Sequence, residues 1–406
     1  MLFALAWRNL WRQPRRTLLS LASVVFTGAL LVFLLSFQIG VYGQMKESAL
    51  KLFDGYAQLQ APGYSDDPDL RRSLTDPAGL KSVALAVPGV DVAAMRVNAF
   101  AILSHGERSF GAAIVGVDPR SEPLVSKLAS SVTLGRYLDA TDSDTIVVGQ
   151  ALARNLEVAV GDKLTLLGSG MDGSVAADVL RVVGIYNSGI PELDRSVAEI
   201  PFSRAQETFS LGPRATTIAL AGKTLPTFQN AVPSLDRISK TRGLILKEWS
   251  DLEPEVRDSI TLKYVTSAML YVTLVVVVTF IILNTLLMSV LERTREFGVL
   301  MAMGMRPSLI GRMVWLELVM LALTGALLAI LIGGALALYL EVQGINYGNL
   351  GKMMAQYGLP SRLYPVLSTF SALIGPGALF LAITLGGIVP YFHVRRLEAA
   401  TAMRAA

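Results

Sequence analysis

Four long apolar stretches constrain the fold of this 406-residue chain more than any other feature of its sequence. They cover residues 18–39, 264–291, 313–340 and 363–392, and Glu317 is their only Lys, Arg, Asp or Glu side chain. About 20 consecutive apolar residues allow a helix to cross the hydrocarbon core of a bilayer. Only 17% of the chain is charged, compared with about 25% of a typical soluble domain. The sequence therefore predicts a membrane α-helical fold with four transmembrane helices.

The basic residues beside these stretches predict the topology, because Lys and Arg are retained on the cytoplasmic side of a membrane. Three groups of arginines flank the spans, namely Arg8, Arg12, Arg15 and Arg16, then Arg293, Arg295, Arg306 and Arg312, and finally Arg395, Arg396 and Arg404. The loop between the third and fourth spans carries only Lys352 and Arg362. We therefore expect a multi-pass protein of the inner (plasma) membrane with both termini in the cytoplasm. The first stretch exceeds the about 7–15 apolar residues of a signal peptide, so we expect it to remain as an anchor.

Nine segments follow from this topology. They are an amphipathic elbow helix at 1–16, the first span at 17–40, an extracytoplasmic domain with stalks at 41–263, the second span at 264–291, a cytoplasmic segment at 292–312, the third span at 313–340, a short outer loop at 341–362, the fourth span at 363–392 and a cytoplasmic tail at 393–406. Pro14 is expected to end the elbow helix, because proline interrupts helical hydrogen bonding.

The extracytoplasmic segment has the composition of an α+β domain, with short β-type runs between turns rich in Gly, Pro and Asp. Its predicted strands are 56–60, 90–103, 109–117, 145–148, 163–167, 179–186 and 215–221, and its predicted helices are 76–86, 150–156, 203–209 and 225–239. Strands near both ends are expected to pair around a central β-rich portion at about 116–201, which gives two lobes. Residues 41–53 and 251–263 are expected to continue the first and second spans as stalks.

Side chains that could carry out chemistry are scarce, since the chain has two histidines and no cysteine. It contains none of the common catalytic or metal-binding motifs, and His105 and His393 are interpreted as structural. We therefore expect no enzyme activity, metal or cofactor in the chain itself. The net charge of +4 reflects the cytoplasmic arginines and gives no reason to expect a nucleic-acid partner.

Polar and small residues inside the spans are the next candidates, because polar groups are costly there. Glu317 is expected to reach Arg312 or lipid head groups and not to form a proton relay. The third span carries a packing face of small residues suited to close helix contact, as in a dimer, formed by Gly325, Ala329 and Gly333. Residues 375–377, Gly-Pro-Gly, are expected to bend the fourth span.

The strongest local signal is residues 284–305, which read NTLLMSVLERTREFGVLMAMGM. An apolar helix here runs into a charged segment and then into an amphipathic stretch that ends at Gly304. Its apolar residues Phe297, Leu300, Met301 and Met303 are expected to face the membrane or a partner, while its charges could bind the cleft of a soluble protein. The alternative is a solvated connecting loop.

These residues resemble the signature of the MacB/FtsX/LolC-LolE-type permeases of ATP-binding-cassette (ABC) transporters, also called type VII or mechanotransmission transporters. The matching positions are Asn284, Met288, Ser289, Val290, Glu292, Arg293, Thr294, Arg295, Glu296, Gly298, Ala302 and Gly304. The resemblance extends to 6–10 and 16–19 at the start, to 147–149, 152–153, 161–163, 182–185 and 200–202 in the outer domain, and to 389–390 and 395–399 at the end.

The resemblance implies that 292–312 is a coupling segment that docks on an ATPase. The residues given this ATPase-coupling role are Glu292, Arg293, Thr294, Arg295, Glu296, Gly298, Ala302 and Gly304. It also implies that the outer domain combines a porter-like lobe with a β-rich lobe. Since no nucleotide-binding domain is recognised in the sequence, ATP and Mg²⁺ are expected on a separate cytoplasmic ABC ATPase subunit.

The implied function is that of a permease subunit which couples ATP hydrolysis to extracytoplasmic movement or extraction of a substrate, such as a lipoprotein or lipid. The implied partners besides the ATPase are a second permease copy or a related permease, membrane lipids and a periplasmic partner. One alternative is an FtsX-like transmembrane regulator of a cell-wall hydrolase. Another is a membrane-anchored enzyme, which the lack of a catalytic cluster disfavours.

Overall fold

The computed structural model describes residues 2–50, 52–349, 351 and 362–395. The chain divides into two compact units. The membrane unit comprises Met1–Gly43, Ser259–Asn346 and Arg362–Ala406, and the inserted unit comprises Gln44–Asp258 and Tyr347–Ser361. Lys352, Arg396, Arg404 and the family-like residues 396–399 lie outside the described residues, as does the side chain of His393.

The helices are α1 (Leu2–Leu10), α2 (Pro14–Leu50), α3 (Pro77–Leu85), α4 (Glu122–Val125), α5 (Gln150–Leu156), α6 (Pro191–Ser196), α7 (Phe202–Thr208), α8 (Leu225–Gln229), α9 (Val232–Thr241), α10 (Trp249–Leu252), α11 (Pro254–Glu292), α12 (Thr294–Ala302), α13 (Pro307–Gln343), α14 (Thr369–Gly386) and α15 (Ile388–Arg395). The strands are β1 (Ala57–Gln60), β2 (Val92–His105), β3 (Arg108–Val117), β4 (Val132–Gly135), β5 (Thr145–Gly149), β6 (Lys163–Ser169), β7 (Val175–Tyr186), β8 (Val197–Pro201), β9 (Thr217–Ala221), β10 (Ile245–Glu248), β11 (Ile345–Asn346) and β12 (Arg362–Leu363).

Four helices of the described chain are long and apolar enough to cross a membrane, namely Pro14–Glu47, Pro254–Glu292, Pro307–Gln343 and Thr369–Phe392. The third helix is the most enclosed, because 50% of its most apolar 18-residue stretch is buried in the protein. The corresponding fraction for the second helix is 17%. Three of these helices begin with proline, which lacks the amide hydrogen that a first helical turn leaves unbonded. Pro14 therefore starts α2, and α1 has already ended at Leu10.

The small residues of the third span pack against the first span of the same chain. A Cβ atom added to Gly325 would lie 2.5 Å from Val24 Cγ1, and one added to Gly333 would lie 2.7 Å from the carbonyl oxygen of Ala29. Ala329 occupies the middle of this contact, where a Cβ on Gly28 would come within 2.6 Å of its Cβ. The close helix contact expected of this face is therefore present, and its partner is α2 of the same chain.

The fourth span begins later than predicted. Leu363, the predicted first residue, pairs with Ile345 in a two-stranded ribbon, and α14 begins at Thr369 after a capping box formed by Ser368 and Ser371. The helix continues through Pro376 and ends at Gly386. The bend expected at 375–377 stays a prediction, and the break between α14 and α15 falls at Gly387.

The inserted unit is built on one mixed ten-stranded sheet with the order β10-β1-β9-β2-β3-β8-β5-β7-β4, in which β6 pairs with β2 and β7. The long strand β2 connects two lobes, because Val92–Arg96 pairs with β9 whereas Ala101–Ser104 pairs with β6. The described residues of this unit form four hydrophobic clusters, of which the two largest contain Tyr56, Phe228 and Leu235, and Leu103 and Phe209, respectively. The cluster with Leu103 begins near Val97 within β2 and not near residue 116.

A buried charged cluster lies beside β2. Arg96 donates to both carboxylate oxygens of Glu122, at 3.1 Å from Nε and 2.5 Å from Nη2, and both side chains are almost fully buried. Glu199 accepts a hydrogen bond from the Tyr137 hydroxyl at 2.7 Å, while its Oε1 has no hydrogen-bond partner. Burial, together with the nearby charge of Glu122, raises the pKa of Glu199 to about 8.

Candidate functional site

Helix α12 lies within the coupling segment, and a glycine fixes its end. The Met305 amide donates to the Leu300 carbonyl at 3.1 Å and the Gly304 amide donates to the Met301 carbonyl at 3.0 Å. These two hydrogen bonds form a Schellman motif, in which the residue that follows the C-cap adopts a left-handed backbone conformation. Gly304 has that conformation, with φ of 94°. The glycine thus lets the chain turn sharply from α12 into α13.

One face of α12 packs into the membrane unit. Phe297 and Gly298 are buried, and Phe297 belongs to a hydrophobic cluster with Ala6 of α1 and Ile310 and Val314 of α13. The expectation that Phe297 faces the membrane or a partner is therefore wrong, because its ring fills the chain's own interior. This packing fixes the orientation of the short helix.

The opposite face of α12 is exposed and forms what we call the docking stripe: Arg295, Val299, Ala302 and Met303. Val299, Ala302 and Met303 follow Arg295 by four, seven and eight residues, and these spacings place the four side chains on one side of a helix. Val299 is 50% exposed and Met303 is 72% exposed. Arg295 makes no ion pair among the described residues. The stripe therefore offers a cation beside apolar surface, as a protein-docking site does.

Two ion pairs join the coupling segment to the beginning of the chain. Arg16 in the first turn of α2 binds Glu292 at 2.7 Å and also donates to the carbonyl oxygen of Thr285. Arg12, between α1 and α2, lies 3.6 Å from Glu296. These contacts connect residues more than 270 positions apart in sequence. The elbow and α12 are thus linked electrostatically as well as by packing.

A third connection reaches α13 through Glu317. Its Oε1 accepts a hydrogen bond from the Asn9 amide at 2.8 Å, and its Oε2 lies 3.4 Å from Arg293. Arg293 also lies 3.6 Å from Glu296. The expectation that Arg312 would pair with Glu317 is wrong, because Arg293 and Asn9 occupy that position. We call these contacts the anchor network, formed by Asn9, Arg12, Arg16, Glu292, Arg293, Glu296 and Glu317.

The structure separates the predicted coupling residues into two groups. Glu292, Arg293 and Glu296 bind within the chain, and the Thr294 hydroxyl donates to the Leu291 carbonyl at 2.8 Å. Arg295 and Ala302 remain exposed. Sequence reasoning missed Asn9, Arg12 and Arg16 as partners of this segment. Arg12 and Arg16 were read as topology markers, and Asn9 and Arg16 lie in the family-like stretches 6–10 and 16–19.

Among the described residues, no group of three or more His, Asp or Glu side chains is placed to hold a metal ion. His105, at the end of β2, has its Nδ1 3.3 Å from the carbonyl oxygen of Leu156, which fits its interpretation as structural.

Two family models match this chain. The MacB-like periplasmic core domain matches residues 17–235, which is more than half of the chain, and the FtsX-like permease C-terminal domain matches residues 268–399. The chain belongs to the MacB/FtsX permease family. The second match includes α12, so the docking stripe and the anchor partners Glu292, Arg293, Glu296 and Glu317 lie within the FtsX-like region. Family membership confirms the four-span fold with an inserted extracytoplasmic α+β domain, and it makes this chain a multi-pass permease component of the inner membrane.

Individual relatives of this MacB/FtsX-type permease are distant. The lipoprotein-releasing system transmembrane protein LolC of Neisseria meningitidis serogroup B is 23% identical over 304 residues, covering 72% of this chain and 70% of LolC. The pyoverdine export ATP-binding/permease protein PvdT of Pseudomonas fluorescens is 24% identical, covering 98% of this chain but 58% of PvdT. The crystal structure of the periplasmic region of MacB from Actinobacillus actinomycetemcomitans is 14% identical, with a TM-score of 0.37, and covers 50% of this chain and 92% of that region.

Proposed function

We propose that this chain is the transmembrane permease subunit of an ABC transporter and that α12 docks on a separate cytoplasmic ATPase through the docking stripe. The observation that carries the proposal is the exposure of Arg295, Val299 and Met303 on a helix whose other face is fixed inside the chain. A docking helix must be attached firmly to the rest of the chain. Otherwise, a movement of the partner would displace only that helix. The anchor network and Phe297 supply that attachment.

The mechanism follows from what α12 is attached to. A displacement of α12 would pull on the elbow through Arg12 and Arg16 and on α13 through Glu317. ATP and Mg²⁺ are bound by the partner, and both termini lie on the ATPase side. The work is done on the extracytoplasmic side by the two-lobed inserted unit, in a pair with a second copy or a related permease and with a periplasmic partner.

The substrate that we propose is a lipoprotein or another lipid. LolC and the LolE of Haemophilus influenzae, which is 25% identical over 270 residues, are both components of lipoprotein-releasing systems. PvdT is instead named for pyoverdine export. These names share the release or export of a molecule, in agreement with the movement or extraction of a substrate expected from the sequence. The MacB-like match over the inserted unit favours this function over regulation of a cell-wall hydrolase.

Arg295→Glu tests the docking assignment. The tagged chain is purified from its native cells in mild detergent, and the co-eluting proteins are identified by mass spectrometry. Reversing the charge of an interface residue typically costs a few kcal/mol, so we expect at least about a tenfold loss of the co-eluting ATPase. Arg8→Glu makes the same charge change at an exposed elbow position outside the stripe and should retain it. Equal ATPase recovery from both variants would sink the assignment.

A further inference from the structure

An open groove of about 260 Å³ is formed by α13 and α15 within the membrane unit. Its lining consists of one arginine and four large apolar or aromatic residues, namely Arg312, Trp315, Ile388, Tyr391 and Phe392. The volume lies just below the about 300–1,000 Å³ of typical small-molecule pockets, so an open groove of this size suits one segment of a longer molecule.

The walls of this groove are apolar surface. The indole nitrogen of Trp315 donates to the carbonyl oxygen of Thr384 at 3.0 Å, so its single donor is already used and only the ring faces the groove. The rings of Tyr391 and Phe392 meet edge to face, with their centroids 5.3 Å apart. Ile388 is 42% exposed and Phe392 is 46% exposed. These walls are therefore suited to contact with a hydrocarbon chain.

Arg312 gives the groove a positive charge that nothing in the described chain neutralises. Its side chain is exposed, and it makes no ion pair with another described residue. Glu317, the acid that was expected to pair with it, is instead held by Asn9 and Arg293. A guanidinium group carries five donors in a planar fork that matches the oxygens of a phosphate. The groove thus combines an available cation with apolar walls.

The groove lies at the end of the spans that carries α12. Arg312 directly precedes the apolar stretch 313–340, and Phe392 is the last residue of the fourth membrane-crossing helix, Thr369–Phe392. The lining therefore lies where the hydrocarbon meets the head groups, the level at which tryptophan and tyrosine concentrate. A molecule with an anionic head and an apolar tail matches both the charge and the position.

We propose that this groove binds one phospholipid from the leaflet at the α12 end of the membrane unit. The phosphate accepts hydrogen bonds from the Arg312 guanidinium, and an acyl chain lies along Trp315, Ile388 and Phe392. The lipid thereby fills the groove between α13 and α15. Its binding does not depend on the docking of an ATPase.

Native mass spectrometry of the full-length chain tests this proposal. The protein is released from nanodiscs of phosphatidylethanolamine and phosphatidylglycerol, and the adducts that remain are weighed. We expect one retained phospholipid per wild-type chain. Arg312→Gln should reduce this adduct by about tenfold, because charge-assisted hydrogen bonds to the phosphate are lost. Arg306→Gln is the matched control, since Arg306 is an exposed arginine at the start of α13 outside the groove, and it should retain the lipid.

A second pair of variants tests the apolar walls. Phe392→Ala removes a half-exposed ring from the groove and should lower retention by about threefold or more, because apolar contact with the acyl chain is lost. Phe370→Ala removes a ring that is 62% exposed near the start of α14, outside the groove, and should leave retention unchanged.

Equal retention by Arg312→Gln and Arg306→Gln would place the lipid elsewhere and overturn the proposal. Retention of diacylglycerol as strongly as phospholipid would also overturn it, because the phosphate would not be recognised. Displacement of the lipid by millimolar inorganic phosphate would do the same, since the groove would then be a site for a soluble anion. The Arg295→Glu experiment measures ATPase docking alone, so the two proposals can fail independently.

Discussion

At the scale of single residues, Glu317 is a mostly buried carboxylate of the membrane unit. Its side chain is only 10% exposed, and it is held by Asn9 and Arg293. A buried acid of this kind contributes to stability only while its partners remain, because an unpaired charge away from water is costly. The pair therefore serves as a fixed point between α13 and the coupling segment.

Glu317→Gln should lower the stability of the folded chain by about 1–3 kcal/mol, because Arg293 loses its buried counter-charge. The measurement is the free energy of unfolding in a detergent titration. Arg293→Gln and the double variant complete a mutant cycle. We expect a coupling of more than about 0.5 kcal/mol, as for residues in direct contact. Strictly additive single effects would mean that the 3.4 Å contact contributes nothing.

Glu199 gives the inserted unit a pH dependence. Because its pKa rises from 4.5 to about 8 on folding, the folded chain keeps a proton that the unfolded chain releases. The contribution of Glu199 to the free energy of unfolding is therefore fully present below pH 4.5 and is lost as the pH rises toward about 8. Thermal midpoints of wild type and Glu199→Gln, measured between pH 5 and pH 9, should diverge by roughly 3–8 °C, with the wild type falling. Parallel curves would exclude a buried proton on Glu199.

At the scale of elements, the close contact between α2 and α13 depends on missing side chains. A Cβ on Gly333 would meet the backbone of Ala29 at 2.7 Å, whereas the nearest atom to a Cβ on the adjacent Gly334 is a Leu367 methyl group at 3.8 Å. A flexible side chain could move aside, but a helix backbone cannot do so without separating the two spans.

Gly333→Ala should therefore destabilise the membrane unit by about 1–3 kcal/mol, the usual cost of overpacking. Gly334→Ala makes the same chemical change one residue away and should be neutral or slightly stabilising, since alanine favours helix. Thermal midpoints of the two variants in the same detergent provide the comparison. If the midpoint of Gly333→Ala matched that of Gly334→Ala, the close approach to Ala29 would not exist.

Helices and strands were predictable from the sequence where a single requirement, such as the exclusion of charged side chains by lipid, applies to many consecutive residues. The second and third spans were found because residues 264–291 of α11 carry no charged side chain and residues 313–340 of α13 carry only Glu317. The strands β4, β8 and β10, each of four or five residues, were not predicted from the sequence. Neither their length nor their burial explains this, because β1 is as short as β4 and β10, β9 is as completely buried as β8, and both β1 and β9 were predicted.

At the scale of the whole molecule, the coupling segment was recognisable but its attachment was not. The signature around Glu292 and Arg295 is local in sequence, and its resemblance to the family could be read directly. The pairing of Arg16 with Glu292 spans 276 positions, and nothing local distinguishes it from a pairing with another arginine of the same cluster. The inward orientation of Phe297 likewise depends on α1 and α13, which only the folded chain brings together.

The central claim is that α12 touches an ATPase through its exposed face. The most direct test places a photoreactive phenylalanine analogue at Val299 in the native cells, with Val175 of the inserted unit as the control. Val299 is 50% exposed and Val175 is 75% exposed, so both positions tolerate the analogue. Illumination and mass spectrometry of the adducts should give an ABC ATPase crosslinked from Val299 and not from Val175. Val299 adducts that contain only lipid or unrelated proteins would contradict the account.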